Sequence, residues 1–201
     1  MHNYSNTQVL SPLFYVLLST LSVASAWVLH LVLSYLGLDE LWWIEFPSVL
    51  GFYAIFWQWF DKKGWTVTII RRLFHITTPD LSGNWYSQAD TILENNQYTV
   101  TAEASVNQTW SKFRISINWH NSTSVSVSAS LHEVSPNEFE LVYQYVNTPK
   151  PLAPQTMNIH RGTAWLALST DQSQMQGEYF SGRGRNKFGS LTLKKKIEKQ
   201  Q

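Results

Sequence analysis

Before Asp39 this chain carries no Asp, Glu, Lys or Arg, and from Leu13 to Leu36 it is almost wholly apolar, with Ser scattered through it. An α-helix needs ~20 such residues to span hydrocarbon, so the run predicts a transmembrane helix over about 13–36. A second segment, about 42–60, is shorter and holds Glu45 and Gln58 near its ends, where headgroups solvate polar side chains. Trp42, Trp43, Trp57 and Trp59 fit interfacial aromatic belts. The alternative for the first run is a signal peptide, because Ala24-Ser25-Ala26 resembles a cleavage site; residues 1–12, however, contain no Lys or Arg to form a basic n-region.

A net charge of +1 conceals a one-sided distribution, since all 15 Lys and Arg residues lie at or after Lys62. The loop between the two apolar segments offers Asp39 and Glu40, whereas Lys62, Lys63, Arg71 and Arg72 follow the second. The positive-inside bias then places the C-terminal side in the cytoplasm, and the N-terminus, two crossings away, on the same side. Small residues four apart, Thr20 with Ala24 and Ser22 with Ala26, offer a helix-packing face, either within one chain or between chains. With 0 cysteines there is no disulfide and no thiolate metal site. Near neutrality argues against binding a DNA or RNA polymer, which calls for a strongly basic domain.

Three regions follow: a two-helix membrane anchor (1–62), a basic linker (63–80) and a β-domain (81–201). Thr77-Thr78-Pro79-Asp80 marks a break, after which the hydrophobic period changes to two. Tyr98, Val100, Ala102, Ala104 and Val106 alternate with polar neighbours, as do Phe113, Ile115, Ile117 and Trp119. Val125, Val127, Ala129 and Leu131 are set against Ser124, Ser126, Ser128 and Ser130. Further strands are expected at 81–87, 139–147, 157–168, 174–181 and 189–196. Eight short strands joined by turns, with no helix between them, predict an antiparallel up-and-down β-barrel of the lipocalin-like kind; a sandwich is the alternative. Gly83-Asn84-Trp85 is similar to the Gly-x-Trp of such barrels, whose Trp plugs one end.

No catalytic constellation has its expected context, so the chain is read as a non-enzyme with neither metal nor resident cofactor. His120, His132 and His160 fall on separate predicted strands without metal-ligand spacing. Gly182-Arg183-Gly184-Arg185 lacks the Lys-Ser/Thr and the following helix of a phosphate loop. What remains is Arg among aromatic and hydroxyl groups, a set suited to a phosphorylated ligand that carries a base, because Arg forks phosphate and aromatic faces stack on bases. The candidate ligand-binding residues are His160 and Arg161, then Tyr179, Arg183 and Arg185 around the last hairpin, and Tyr143 and Tyr145 on one face of their strand. The blander readings are a solvated turn for 183–187 and ordinary barrel core for Tyr143 and Tyr145.

The chain also resembles a family, the two-transmembrane, β-strand-rich effectors of bacterial cyclic-oligonucleotide anti-phage signalling (CBASS). The resemblance is carried by Leu81-Ser82-Gly83-Asn84-Trp85, the Ser124, Ser126, Ser128 ladder, and Leu141-Val142-Tyr143-Gln144-Tyr145 with Asn147 and Pro149. His160-Arg161-Gly162-Thr163-Ala164 and Gly177-Glu178-Tyr179-Phe180-Ser181-Gly182-Arg183 complete it. It implies that the barrel binds a cyclic dinucleotide made on infection, that binding promotes self-association, and that the helices then disrupt the inner membrane to cause abortive infection. It implies a multi-pass inner-membrane protein with a cytoplasmic N-terminus and barrel. The competing expectation is a membrane-tethered lipocalin-like carrier of a lipid or other apolar small molecule.

Overall fold

The structure is a computed structural model, and residues 1–38, 45–93, 96–182 and 188–196 are described. By internal contacts the chain divides into a helical unit, residues 9–77, and a β unit made of residues 1–8 together with 78–201.

The helical unit holds α1 (Pro12–Tyr35), α2 (Glu45–Lys62), a 3-10 turn (Gly64–Thr66) and the short α3 (Thr68–Leu73). Pro at the first helical position starts α1, where the missing N–H costs nothing. A left-handed Gly37 (φ +70) ends it, letting Leu38 N–H bond the Leu33 carbonyl at 2.9 Å. Phe14, Leu18, Ser22 and Ala26, each four residues on, form the buried stripe of α1, and Phe14 meets Phe60 of α2 at a ring separation of 4.4 Å. The Ser22 and Ala26 pair therefore packs within the chain, whereas Thr20 and Ala24 are exposed. Leu13, Val16, Leu21, Trp27 and Val28 all turn outward, which water would penalise and lipid would not.

Among the described residues, α1 alone is long and apolar enough to cross a membrane. The expected second helix does form, but Glu45 opens it and Asp61 and Lys62 close its 18 residues, so its charge-free length is short. Asp39, Glu40, Trp42 and Trp43 lie outside the described residues. Part of the expected basic linker is helical: α3 carries Arg71 and Arg72 in its last turn and exposes Ile69 and Leu73.

The β unit is an eight-stranded antiparallel barrel. Its strands are β3 (Gly83–Leu93), β4 (Asn96–Gln108), β5 (Lys112–Asn118), β6 (Ser122–Ser135), β7 (Glu138–Pro149), β8 (His160–Leu168), β9 (Gln174–Ser181) and β10 (Phe188–Lys195). Each pairs with the next, and β10 pairs back onto β3 to close the barrel. That is the expected up-and-down meander rather than a sandwich. A type II-like turn with Pro136 followed by left-handed Asn137 (φ 66) joins β6 to β7.

The chain's first residues add two strands that alternation did not predict, β1 (His2–Asn3) and β2 (Ser5–Asn6). β5 and β6 pair only through Ser116–Asn118 and Thr123–Val125. Beyond that point β1 runs antiparallel to β5, opposite Lys112 and Phe113, and β2 runs parallel to β6 at Ser130 and Leu131. This N-terminal arm satisfies backbone groups that the parting strands would otherwise expose. Side chains anchor it: His2 Nε2 lies 2.8 Å from Ser126 Oγ, the Gln108 amide donates to the Tyr4 hydroxyl at 3.2 Å, and Asn6 Nδ2 donates to Thr78 Oγ1 at 3.0 Å.

Candidate functional site

The two ends of the barrel differ because their inward-facing residues differ. One end is solid: Leu81, Trp85, Phe113, Leu131, Leu141, Leu166, Met175 and Leu193 are all essentially inaccessible. Trp85 sits at its centre, donating Nε1–H to the Leu81 carbonyl at 3.0 Å, with the Lys195 ammonium 5.6 Å from its ring. Gln108 ties the same end together, accepting from Leu81 N–H at 2.8 Å and donating to the Pro79 carbonyl at 3.2 Å.

Towards the other end the inward residues become small or polar, and a cavity of about 440 Å³ opens. Ala89 and Thr91 of β3, Ile117 of β5, Ser122 and Ser124 of β6, and Leu191 of β10 form its walls, with Trp119, His120 and Asn121 of the β5–β6 turn at the mouth. Of the serine ladder, Ser124 belongs to this wall, with Ser122 before it. Ser122, Ser124 and Ser126 are buried while Val127 is exposed, the reverse of a hydrophobic-in pattern. The phase recovers through a bulge between Ser126 and Ser128, after which Leu131 is buried.

Asn147, only 6% exposed, organises the polar side of the cavity. Its Nδ2 donates to Ser122 Oγ at 3.0 Å and Ser124 Oγ at 2.8 Å, and Trp119 Nε1 donates to Ser124 Oγ at 3.1 Å. Asn147 Oδ1 is buried and has no hydrogen-bond partner among the described residues. Tyr143 and Tyr145 flank it on β7, with ring centroids 6.1 Å apart. Burial, with a smaller contribution from Tyr145, drives the Tyr143 hydroxyl far above the ordinary phenol range, so it stays protonated. Tyr179 hydrogen-bonds Thr91; burial raises its pKa, the Thr91 bond opposes that shift, and the Asp90 charge adds to it. The cavity therefore offers neutral hydrogen-bonding groups and aromatic faces, and among the described residues no acidic side chain lines it.

Of the residues expected from the sequence to bind ligand, Tyr143, Tyr145, Tyr179 and His160 converge on this cavity. Arg161 does not. It lies on the outer face of β8, in a separate groove with Gln144, Thr163 and Phe180, because the residue after inward-facing His160 must point outward. Arg183 and Arg185 lie outside the described residues. His132 is on β6 away from the cavity, and among the described residues no group of three or more His, Asp or Glu could hold a metal ion. Sequence reasoning missed Ser122, Thr91 and Asn147 as lining residues. The signal for the serines was the ladder itself, whose period of two makes one wall of a barrel.

A barrel plugged at one end by Trp and open at the other over an aromatic, polar cavity defines a small-molecule-binding β-barrel, the class of protein this is. Residues 76–195 match the family model described as Cap15, cyclic dinucleotide receptor domain. The chain is also 32% identical over 146 residues to CD-NTase-associated protein 15 of Yersinia aleksiciae, covering 73% of this chain and 68% of that protein. The chain belongs to the Cap15 family, the one its sequence resembles.

Proposed function

We propose that the barrel binds a cyclic dinucleotide in its open-ended cavity, that binding promotes self-association, and that the helices then disrupt the inner membrane to abort infection. The observation that carries the reading is the cavity within a matched receptor domain. Its volume of about 440 Å³ falls in the range typical of small-molecule sites, roughly 300–1,000 Å³. Tyr143, Tyr145 and Tyr179 offer faces on which bases stack, and among the described lining residues no carboxylate repels phosphate. Ser181 lines the cavity, and Arg183 and Arg185 come two and four residues after it in the chain. We assign phosphate contacts to these two arginines, with His160 at the mouth. An apolar ligand fits less well, because it would leave Asn147, Ser122 and Ser124 desolvated without new partners.

Membrane topology enters the same proposal. Residues 1–8 and 78–201 form one compact unit, so the chain leaves the barrel and returns to it on one side of any bilayer. A crossing by α1 then requires a second before Thr78, and we assign it to α2, whose terminal Asp61 and Lys62 would reach the headgroups. Lys62, Lys63, Arg71 and Arg72 favour a cytoplasmic barrel, where a cytosolic nucleotide is sensed.

Isothermal titration calorimetry of the full chain in detergent against a panel of cyclic dinucleotides tests the reading. We expect one ligand per barrel for at least one member. Failure of every member to bind, with a lipid recovered by native mass spectrometry, would replace it with the apolar-carrier reading. Replacing α1 and α2 by an unrelated two-helix anchor should keep ligand binding and abolish toxicity on expression with the ligand; persisting toxicity would reduce the helices to a tether.

A further inference from the structure

We infer that Asn147 reads a base of the ligand by accepting a single N–H through its Oδ1. The inference rests on the cyclic dinucleotide reading above and adds to it the atom that discriminates.

A buried polar atom without a partner is rare, because it loses its water and gains nothing in return. Among the described residues Asn147 Oδ1 is such an atom, on a residue that lines the cavity, so a ligand N–H reaches it once the side chains that cover it give way. The other half of the amide is fully committed: both Nδ2 protons go to Ser122 Oγ and Ser124 Oγ, at 3.0 and 2.8 Å. Ser124 is itself fixed by Trp119 Nε1 at 3.1 Å, so the amide is held rather than free to rotate towards a ligand. The familiar two-bond pairing of an Asn amide with adenine, which needs both the oxygen and the NH2, is therefore unavailable. What remains is one acceptor.

An acceptor of this kind selects by polarity. A base that turns an N–H towards Oδ1 satisfies it, whereas one that turns a carbonyl or a ring-nitrogen lone pair there sets two acceptors against each other in a site without bulk water. The cavity belongs to one barrel and holds one Asn147, so the two bases of a cyclic dinucleotide meet unequal surroundings, and only the deeper one is read in this way. Leaving a buried polar partner unsatisfied costs enough to weaken binding about ten- to a hundredfold.

The test uses the full chain in detergent, titrated with cyclic di-AMP, cyclic di-GMP and cyclic di-UMP. It adds an analogue of the tightest of these in which every base N–H is replaced by N–methyl (N6,N6-dimethyladenine, N1,N2,N2-trimethylguanine or N3-methyluracil). The wild-type chain should bind the methylated analogue about ten- to a hundredfold more weakly than its parent. Asn147→Leu should bind the parent more weakly by a similar factor and should no longer distinguish parent from analogue, a coupling that a general packing defect would not produce. Equal affinity of the wild-type chain for parent and analogue would overturn the inference, as would discrimination that survives in Asn147→Leu. A wild-type chain that binds none of the three parents would instead overturn the cyclic dinucleotide reading itself.

Discussion

Replacing Trp85 by Phe and by Ala measures how much of the barrel's stability resides in its closed end. Trp85 is wholly inaccessible and packs among Leu81, Ala104 and Leu193, so Trp85→Ala removes a large ring from a region with no slack. Truncations of this kind cost about 3–5 kcal/mol, against a total of roughly 5–15 kcal/mol for a typical domain. Trp85→Phe keeps most of the apolar surface but deletes the indole N–H, which donates to the Leu81 carbonyl at 3.0 Å. Losing a buried bond and leaving its partner unmatched costs about 1–3 kcal/mol. With about 4 °C lost per kcal/mol for a domain of this size, melting should fall by about 4–12 °C for Phe and 12–20 °C for Ala. Near-ultraviolet circular dichroism of the full chain in detergent reads this, because the aromatic signal comes largely from packed rings. Ligand affinity at 10 °C should be unchanged in the Phe variant, since the cavity lies at the opposite end. A Phe variant that melts within 2 °C of the parent would refute the reasoning, because the indole bond would then contribute nothing.

Four further outcomes follow from the same geometry. A Cβ at Gly162 would meet the Tyr145 hydroxyl and come 2.5 Å from the Phe180 carbonyl, so Gly162→Ala should cost about 1–3 kcal/mol and weaken ligand binding by pushing Tyr145 into the cavity; thermal melts and calorimetry read both effects. Arg161→Ala should leave affinity unchanged, because its side chain faces the outer groove, whereas Arg183→Ala should weaken binding in a titration at fixed salt. Tyr4→Ala should lower stability by about 1–2 kcal/mol in a denaturant titration, since it removes a ring 5.6 Å from Phe113 and the acceptor for Gln108. Asp171 accepts hydrogen bonds from the Ser169 hydroxyl, then the Ser173 hydroxyl and N–H, which lower its pKa to about 2. A lowered folded pKa means that its contribution is complete above the unfolded value of about 3.9 and fades as pH falls through about 2; Asp171→Ala should flatten that part of an acid melting series.

The strands were legible wherever their inner face meets the solid core. Phe113, Ile115 and Ile117 alternate with polar residues because one face packs against other side chains. The pattern fades where the inner face meets a cavity. The second half of β3 reads Gln88-Ala89-Asp90-Thr91, and its inward residues Ala89 and Thr91 are small because they leave room for a ligand. Alternation therefore ends at Ser87, although the strand continues to Leu93. The inverted Ser and Val phase of β6 has the same cause. Tyr143, Tyr145, Tyr179 and His160, chosen because their chemistry fits a base, all line the cavity, but alternation from residue 160 was needed to show that Arg161 points out. β1 and β2 left no trace in the sequence, since strands of two residues carry no period and their partners lie far along the chain.

That distance gives the N-terminal arm a consequence during synthesis. His2 leaves the ribosome well before its partner Ser126, which lies 124 residues later, after α1, α2 and three barrel strands have been made. Contacts so distant in sequence are the slowest to form. The seam between β5 and β6 is therefore among the last parts of the barrel to close. Until it does, the nascent chain carries two unpaired strand edges, and the first eight residues must stay on the side of the bilayer where the barrel will fold.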